Sequence, residues 1–392
     1  MKKLFFYAVV VGLLVLVLPP QWRSFERWGE RRFEALKGPA EEAVVGVCWP
    51  ILAGQDGMAD GLRLAQEEIN SGGLAGDFPI RLVMREHDYD EKKGTRIALE
   101  FAAMPEMSAV IGYYSSEQAI RASAIYEPSR LLLLILGANS TVITSHGFQY
   151  TLRTVLSGDK IAKSLARMSI SRGYKKIAVI WAEDAFGEDM AYQYLVWMDS
   201  FGAHNAYLWS FSPTRSDFRL PANELKGVDA DVIFFAGSEP KVGDFLRRAR
   251  GVGLKTPIIG TFNNSPWLRK RAGPGLEGVM YPDFYDPDSP RPKNQAFIRV
   301  FRARYGKDPD TWAAQGYDAL HILAKAMRFT GSRNSLDLAY AIRYMDAWEG
   351  ANGRYKFDEA GDLEDRTLFL KMVQGGRSVV VGKHVPAPMT LK

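Results

Sequence analysis

The chain has 392 residues, 47% of them hydrophobic and 24% charged, an ordinary globular balance whose length predicts two or so domains. Of its formal charge of +5, residues 1–40 carry +4, from Lys2, Lys3, Arg23, Arg27, Arg31, Arg32 and Lys37 against Glu26, Glu30 and Glu34. Only +1 is left for the remainder, so a basic folded face, and with it a nucleic-acid partner, is not expected.

The N-terminus reads Met1-Lys2-Lys3, then an apolar run over 4–18, then Pro19-Pro20. A basic start before such a run fits an export signal. The run falls short of the ~20 residues that a spanning helix usually needs. Yet no A-x-A cleavage site follows, and no cysteine near its end offers lipoprotein processing. Residues 1–20 are therefore expected to remain as an uncleaved signal and membrane anchor, with a cleaved signal as the alternative. Either way the remainder is exported. Residues 21–43 then form a juxtamembrane linker. Trp22, Phe25, Trp28, Phe33 and Leu36 mostly recur at helical spacing among arginines there, which suits a helix lying on the membrane or a charged stalk.

From residue 44 onward strands and helices alternate. Residues 44–49 read as a strand, and Met58, Leu62, Ala65 and Ile69 mark one helix face that ends in Asn70-Ser71-Gly72-Gly73. A strand at 80–84, a helix at 95–103 and a strand at 109–111 follow. An Ala-rich helix runs to about Tyr126, and the next strand covers 131–136. A second series reads helix 161–171, strand 176–181, helix 187–201, strand 206–211, helix 218–225, strand 231–236 and helix 240–250. Short strands at 257–260 and 278–281 close it. This alternation predicts an α/β fold of parallel sheets with helices on both faces. The proline-rich stretch 282–292 breaks the rhythm. Helices at 294–305, 312–329 and 336–345, a flexible joint at 350–353 and a hairpin-like tail at 353–382 complete the chain.

Two of these strands end in small polar residues. The strand at 109–111 stops at Gly112 before Ser115 and Ser116, and the strand at 131–136 stops at Gly137, Ala138 and Asn139. Small ligands sit at that edge of an open α/β sheet. The groups there are weak acids, so binding is expected rather than catalysis.

Tests for catalytic motifs fail. Residues 273–278, GPGLEG, match G-x-G-x-x-G in form. A dinucleotide site needs that motif between a strand and a helix; here it precedes an extended run, and Pro274 removes a donor, so it reads as a loop. There is no phosphate-binding loop, no G-x-S-x-G and no nucleophile paired with a base. Cys48 is the single cysteine and sits in an apolar run, where a small buried hydrophobe is expected. The five histidines form no metal-ligand pattern. No catalytic residue, metal or cofactor is expected.

Several segments together resemble a known family. They are 61–73 (GLRLAQEEINSGG), Asp88-Tyr89-Asp90, Ile111-Gly112 with 122–127 (ASAIYE), and Leu152-Arg153-Thr154. Ala185-Phe186-Gly187-Glu188, 245–253 and 356–362 (KFDEAGD) complete the ordered series. In this order, over some 340 residues, the chain resembles the periplasmic branched-chain amino-acid binding proteins, the type I substrate-binding proteins of ABC transporters. The resemblance implies two Rossmann-like lobes joined by three crossovers near Thr154, Pro282 and Gly353. Lobe one is then 44–154 plus 283–352, and lobe two 155–282 plus 353–385. Ligand is enclosed between them by hinge closure.

The resemblance also implies site residues. Ser116, with Ser115 beside it, matches the serine that holds the ligand carboxylate, although either serine as a plain N-cap is an open alternative. Gly137 and Ala138 match the family's small-residue turn, Asn139 stands at its threonine, and Phe186 matches a covering aromatic. Trp312, at the start of a long helix, is a further ligand-facing candidate. Three departures bear on the ligand. The loop 52–56 is short and lacks an aromatic, Ser238-Glu239 replace a second-lobe aromatic, and Phe262 replaces the acid that pairs with the ligand ammonium. Glu239 or Asp184 is then the expected substitute; otherwise the ligand is a carboxylate or amide without an ammonium group. The implied function is capture of such a solute for an ABC permease in the inner membrane. The alternative is a membrane-tethered sensor of the same fold that signals to a membrane partner.

Overall fold

The computed structural model describes residues 19–38, 42–50, 57–87, 90–214, 216–262 and 264–385. Of the anchor expected at 1–20, residues 1–18 lie outside the described residues and Pro19-Pro20 open a helix; the loop at 52–56 and the pair Asp88-Tyr89 also lie outside the described residues. Among those described, no helix is long and apolar enough to cross a membrane.

After helix α1 (Pro19–Lys37), a first sheet is built from β1 (Ala43–Trp49), β2 (Ile80–Glu86), β3 (Met107–Gly112), β4 (Leu132–Ile135) and β5 (Thr151–Arg153). Its order is β2-β1-β3-β4-β5, and all pairs are parallel. Helices α2 (Met58–Gly72), α3 (Glu91–Ala103) and α4 (Ser116–Tyr126) connect the strands. Every residue of β1, β3 and β4 is buried. Helices cover both faces, which is why these strands read as unbroken apolar runs instead of alternating ones.

The second sheet takes β6 (Lys176–Ala182), β7 (His204–Phe211), β8 (Val232–Ala236), β9 (Ile258–Gly260) and β10 (Met280–Asp283). Between and before them come α5 (Gly158–Ile170), α6 (Ala185–Ser200), α7 (Arg219–Glu224), α8 (Glu239–Gly251) and α9 (Pro266–Ala272). The chain then returns to the first lobe as α10 (Pro292–Tyr305), α11 (Thr311–Thr330) and α12 (Ser335–Tyr344), and makes a small hairpin of β11 (Trp348–Glu349) and β12 (Arg354–Tyr355). It ends as β13 (Leu368–Gln374) and β14 (Arg377–His384), which extend the second sheet antiparallel, in the order β14-β13-β10-β9-β8-β6-β7. α2 and α11 cross at backbone contact: a Cβ on Gly61 would stand 2.0 Å from the Ala313 carbonyl oxygen.

Two expectations need correction, and one helix had no counterpart in the sequence. Residues 21–37 are neither a free linker nor a solvated stalk, because they belong to α1, which packs on lobe one, and β1 already begins at Ala43. Phe25 and Leu36 are buried there, and so is Arg32. The charge at 32 hid the inward stripe Phe25, Gly29, Arg32, Leu36. The joint at 350–353 is held rather than loose: Asp318, fully buried, accepts the N–H groups of Ala351 and Asn352, both at 2.7 Å. Helix α9 escaped the sequence reading. It is a short turn opened by Ser265, whose Oγ accepts from Leu268 N at 3.0 Å, with Pro266 at its first position.

Candidate ligand-binding site

β3 and β4 end side by side, with Gly112 in register with Ile135. Ser115 caps α4, its Oγ accepting from Gln118 N at 3.2 Å. Ser116 is the first helical residue and not the cap; its buried Oγ accepts from Ser140 N at 3.3 Å. First-turn N–H groups have no intrahelical acceptor; Gln118 N is taken by Ser115 and the Glu117 N–H by its own carboxyl, so what this helix start chiefly offers an anion is its dipole. After β4, the N–H groups of Gly137 and Ala138 both donate to Tyr113 O at 3.2 Å, which folds the turn against the exit of β3. Asn139 follows. Its Oδ1 is buried with no hydrogen-bond partner among the described residues. A buried acceptor left unpaired costs about 1–3 kcal/mol.

From lobe two, Asp184 caps α6, with Oδ1 accepting from Gly187 N at 2.7 Å. α6 begins two residues earlier than expected, which puts Phe186 inside its first turn. Ser238 precedes α8 and is exposed. Glu239 is the first residue of α8, and its side chain lies outside the described residues. Phe262 stacks on Tyr281 with ring centroids 5.4 Å apart. Trp312, in the first turn of α11, packs edgewise on Trp49 at 5.0 Å and on Tyr114 at 5.4 Å.

Ser115, Ser116, Gly137, Ala138, Asn139 and Trp312 from lobe one, and Phe186, Ser238 and Phe262 from lobe two, border one cleft. It holds about 980 Å³ of empty space, part of it open to solvent. Tyr114, Glu117, Asp184, Thr261 and Phe284 also line it. Of these, sequence reading singled out only Asp184. Glu117 gave no signal, because an acid in the first turn of a helix is ordinary dipole chemistry.

The charge in this cleft is one-sided: among the described residues its lining contains Glu117 and Asp184 and no Lys or Arg. Burial, then the charge of Asp184, holds the Glu117 carboxyl above its ordinary range. Burial likewise raises Asp184, against the opposing pull of the Gly187 and Phe186 amides. The two acids come from different lobes. Glu117 Oε1 accepts from Ala185 N at 2.5 Å. A second bridge joins Asp189 of α6 to Thr141, from the backbone N–H at 2.8 Å and the hydroxyl at 2.7 Å.

Behind the cleft, one side chain touches all three crossing segments. Arg366 donates to Thr154 O at 2.8 Å and to Asn352 O at 3.0 Å, and its guanidinium lies 5.5 Å from the centre of the Phe284 ring. Phe284 and Val155 are themselves walls of the cleft.

The two serines have separable expected effects. Ser115→Ala removes a cap and should cost about 1 kcal/mol of stability without changing affinity. Ser116→Ala should weaken a carboxylate ligand roughly ten- to hundredfold, the effect of losing a hydrogen bond to a charged group. Thermal melts and calorimetry on the same two variants check both.

A family model described as periplasmic binding protein matches residues 52–377. The leucine-specific-binding protein of Salmonella typhimurium is 29% identical over 341 residues, covering 84% of this chain and 89% of that protein. An ABC transporter substrate-binding protein from Desulfitobacterium hafniense, solved in complex with Leu, is 29% identical with a TM-score of 0.77, over 87% of this chain and 100% of that one. A solute-binding protein from R. palustris, solved in complex with benzoate, has a TM-score of 0.74 at 21% identity, over 87% and 96% of the two chains, a likeness of fold alone.

Proposed function

We propose, because the chain belongs to the periplasmic binding protein family, that it captures a small amino-acid-like ligand between its lobes and presents it to an ABC permease. The observation that carries this reading is the split chemistry of the cleft. On one side, the Ser116 hydroxyl offers a neutral donor and the start of α4 a dipole, both suited to a carboxylate. On the other, Glu117 and Asp184 supply negative charge suited to an ammonium group, although Phe262 stands where the family's acid would be. Between them Tyr114, Trp312, Phe186 and Phe262 suit an apolar body. The crossing segments at Thr154, Phe284 and Asn352 form the hinge. The reading involves no covalent step and no cofactor.

Calorimetry against leucine, phenylalanine, benzoate and a neutral amide tests it. Binding of an amino acid, with benzoate and the amide weaker, is the expected result. Tight binding of benzoate alone would assign the cleft to aromatic acids, as in the R. palustris protein, and remove the ammonium role from Glu117 and Asp184.

Residues 1–18 complete the reading as an uncleaved membrane anchor that keeps the protein on the outer face of the inner membrane. A second use of the same fold, a tethered sensor, is favoured by one observation: the chain is helical from Pro19, and that helix is docked on lobe one.

A further inference from the structure

Helix α1 is built into lobe one. Phe25 joins the core beside Phe101 and Tyr126. Arg32, only 1% exposed, donates to Phe101 O at 3.1 Å, Ala102 O at 2.8 Å, Met104 O at 3.0 Å and Met107 O at 3.1 Å, and also to Ser129 O. Gly29 lets the helix reach the chain beneath it, since a Cβ there would stand 2.8 Å from Pro128 O. At its far end Arg333 donates to Ala35 O at 2.9 Å. A guanidinium that satisfies so many carbonyls is a specific clamp, because its planar fork loses little freedom for each bond formed.

These partners share a location. Residues 101–107 lead into β3, 128–130 lead into β4, and Arg333 precedes α12, which Ser335 ties to Ser108 O at the start of β3, at 2.7 Å. α1 therefore lies across the N-terminal ends of the first sheet. The cleft lies at the C-terminal ends of the same strands. A strand of this length spans roughly 20 Å, so helix and cleft occupy opposite poles of lobe one.

We infer that α1 is a strut that holds the pole of lobe one against the membrane and keeps the cleft away from it. The inference rests on the proposed anchor in residues 1–18. Pro19-Pro20 passes straight from the apolar run into the docked helix. As an extended linker, residues 19–42 would reach about 80 Å; docked, the helix covers about 28 Å along its own axis and adds no reach beyond the lobe. Closure on ligand then swings lobe two over a fixed lobe one. A membrane partner that reads the position of lobe two can do so with α1 in place. A permease that takes ligand from the cleft must wait for α1 to let go.

Energy transfer in the full chain tests this. The protein is reconstituted in phosphatidylcholine vesicles whose headgroups carry an acceptor dye. A donor is placed through Tyr340→Cys, on α12 at the pole beside α1, or through Lys175→Cys, just before β6 at the far pole of lobe two. Both native positions are exposed, and Cys48 is buried. Strong transfer from position 340 and little from 175 is the expected result. Gly29→Leu, which drives the helix off the Pro128 backbone, should remove that contrast without changing ligand affinity. Arg32→Gln is a second route to the same release. Flotation with the vesicles but equal transfer from the two positions rejects the strut and spares the anchor. A chain that does not float rejects the anchor and the strut together. A contrast that survives both helix variants, with α1 shown by hydrogen exchange to be undocked, also rejects the strut.

Discussion

In a Glu117→Gln, Asp184→Asn double variant, affinity for an amino-acid ligand is expected to fall roughly ten- to hundredfold, the effect of losing charge-assisted contacts to one ammonium group. Amides suit the test because they keep the local structure. Asn caps a helix as well as Asp does, so Gly187 N keeps an acceptor, and the amide oxygen introduced at position 117 still suits Ala185 N. What leaves is charge alone. A carboxylate ligand without an ammonium group should bind the variant as well as, or better than, the parent. Calorimetry with leucine and benzoate on both proteins reads the difference. Equal loss for the two ligands would place the acids in closure of the lobes rather than in recognition.

The same acids set a pH dependence whose sign follows from their shifts. Both carboxyls lie above their ordinary range in the folded protein, chiefly through burial. A group raised on folding penalises the folded state when ionised. That cost is absent below the unfolded pKa, about 4 for such acids, and is complete above the folded one. The free protein therefore gains relative stability as pH falls through this window. Amino-acid affinity should move the other way and start to drop above the ordinary carboxylate range, because protonated acids no longer attract an ammonium. In the double variant that part of the pH dependence should vanish.

The fold was legible because buried parallel strands are short apolar runs and each is followed by an amphipathic helix. The strand-end turns at Ser115–Ser116 and Gly137–Asn139 were legible for the same reason: topology puts those ends at a ligand edge. Glu117 was not legible, because its role depends on α6 arriving from the other lobe with Ala185 N pointed at it. Arg32 misled for the opposite reason. One buried charge on an otherwise apolar stripe makes a docked helix look like a solvated one, and only the carbonyls beneath it, at the end of α3 and after α4, explain why a cation belongs there. Arg366 sits in a loop with no periodic signal, and its three partners lie about 14, 82 and 212 positions away in the chain, a relation that only tertiary structure creates.

Arg366→Ala is expected to have the largest structural effect. The side chain is 3% exposed and holds Thr154 O, Asn352 O and, at 3.2 Å, Gln315 Oε1. Its guanidinium also lies 4.8 Å from the centre of the Tyr355 ring. Beside it Asp318 is fully buried, and burial pushes its carboxyl up despite the amides of Asn352 and Ala351. Removing the nearby cation leaves that acid worse off. Breaking a buried charge arrangement by deleting one member typically costs about 3–5 kcal/mol, so the melting temperature should fall markedly. Stability alone would not show that the hinge is involved. Thr154, Phe284 and Asn352 belong to different segments of the chain, and Arg366 contacts all three. Without it, the ligand-free lobes should sample wider openings, and the fraction competent to close should shrink. Apparent affinity falls in proportion to that fraction. Small-angle scattering of the ligand-free variant should show a larger radius of gyration than the parent, with ligand restoring the compact form. Arg366→Lys keeps the charge but cannot span three acceptors with a planar fork, so it should recover part of the stability and little of the hinge geometry. If Arg366→Ala lowers the melting temperature while radius and affinity match the parent at a temperature where both are folded, Arg366 is a packing residue and the hinge is set elsewhere.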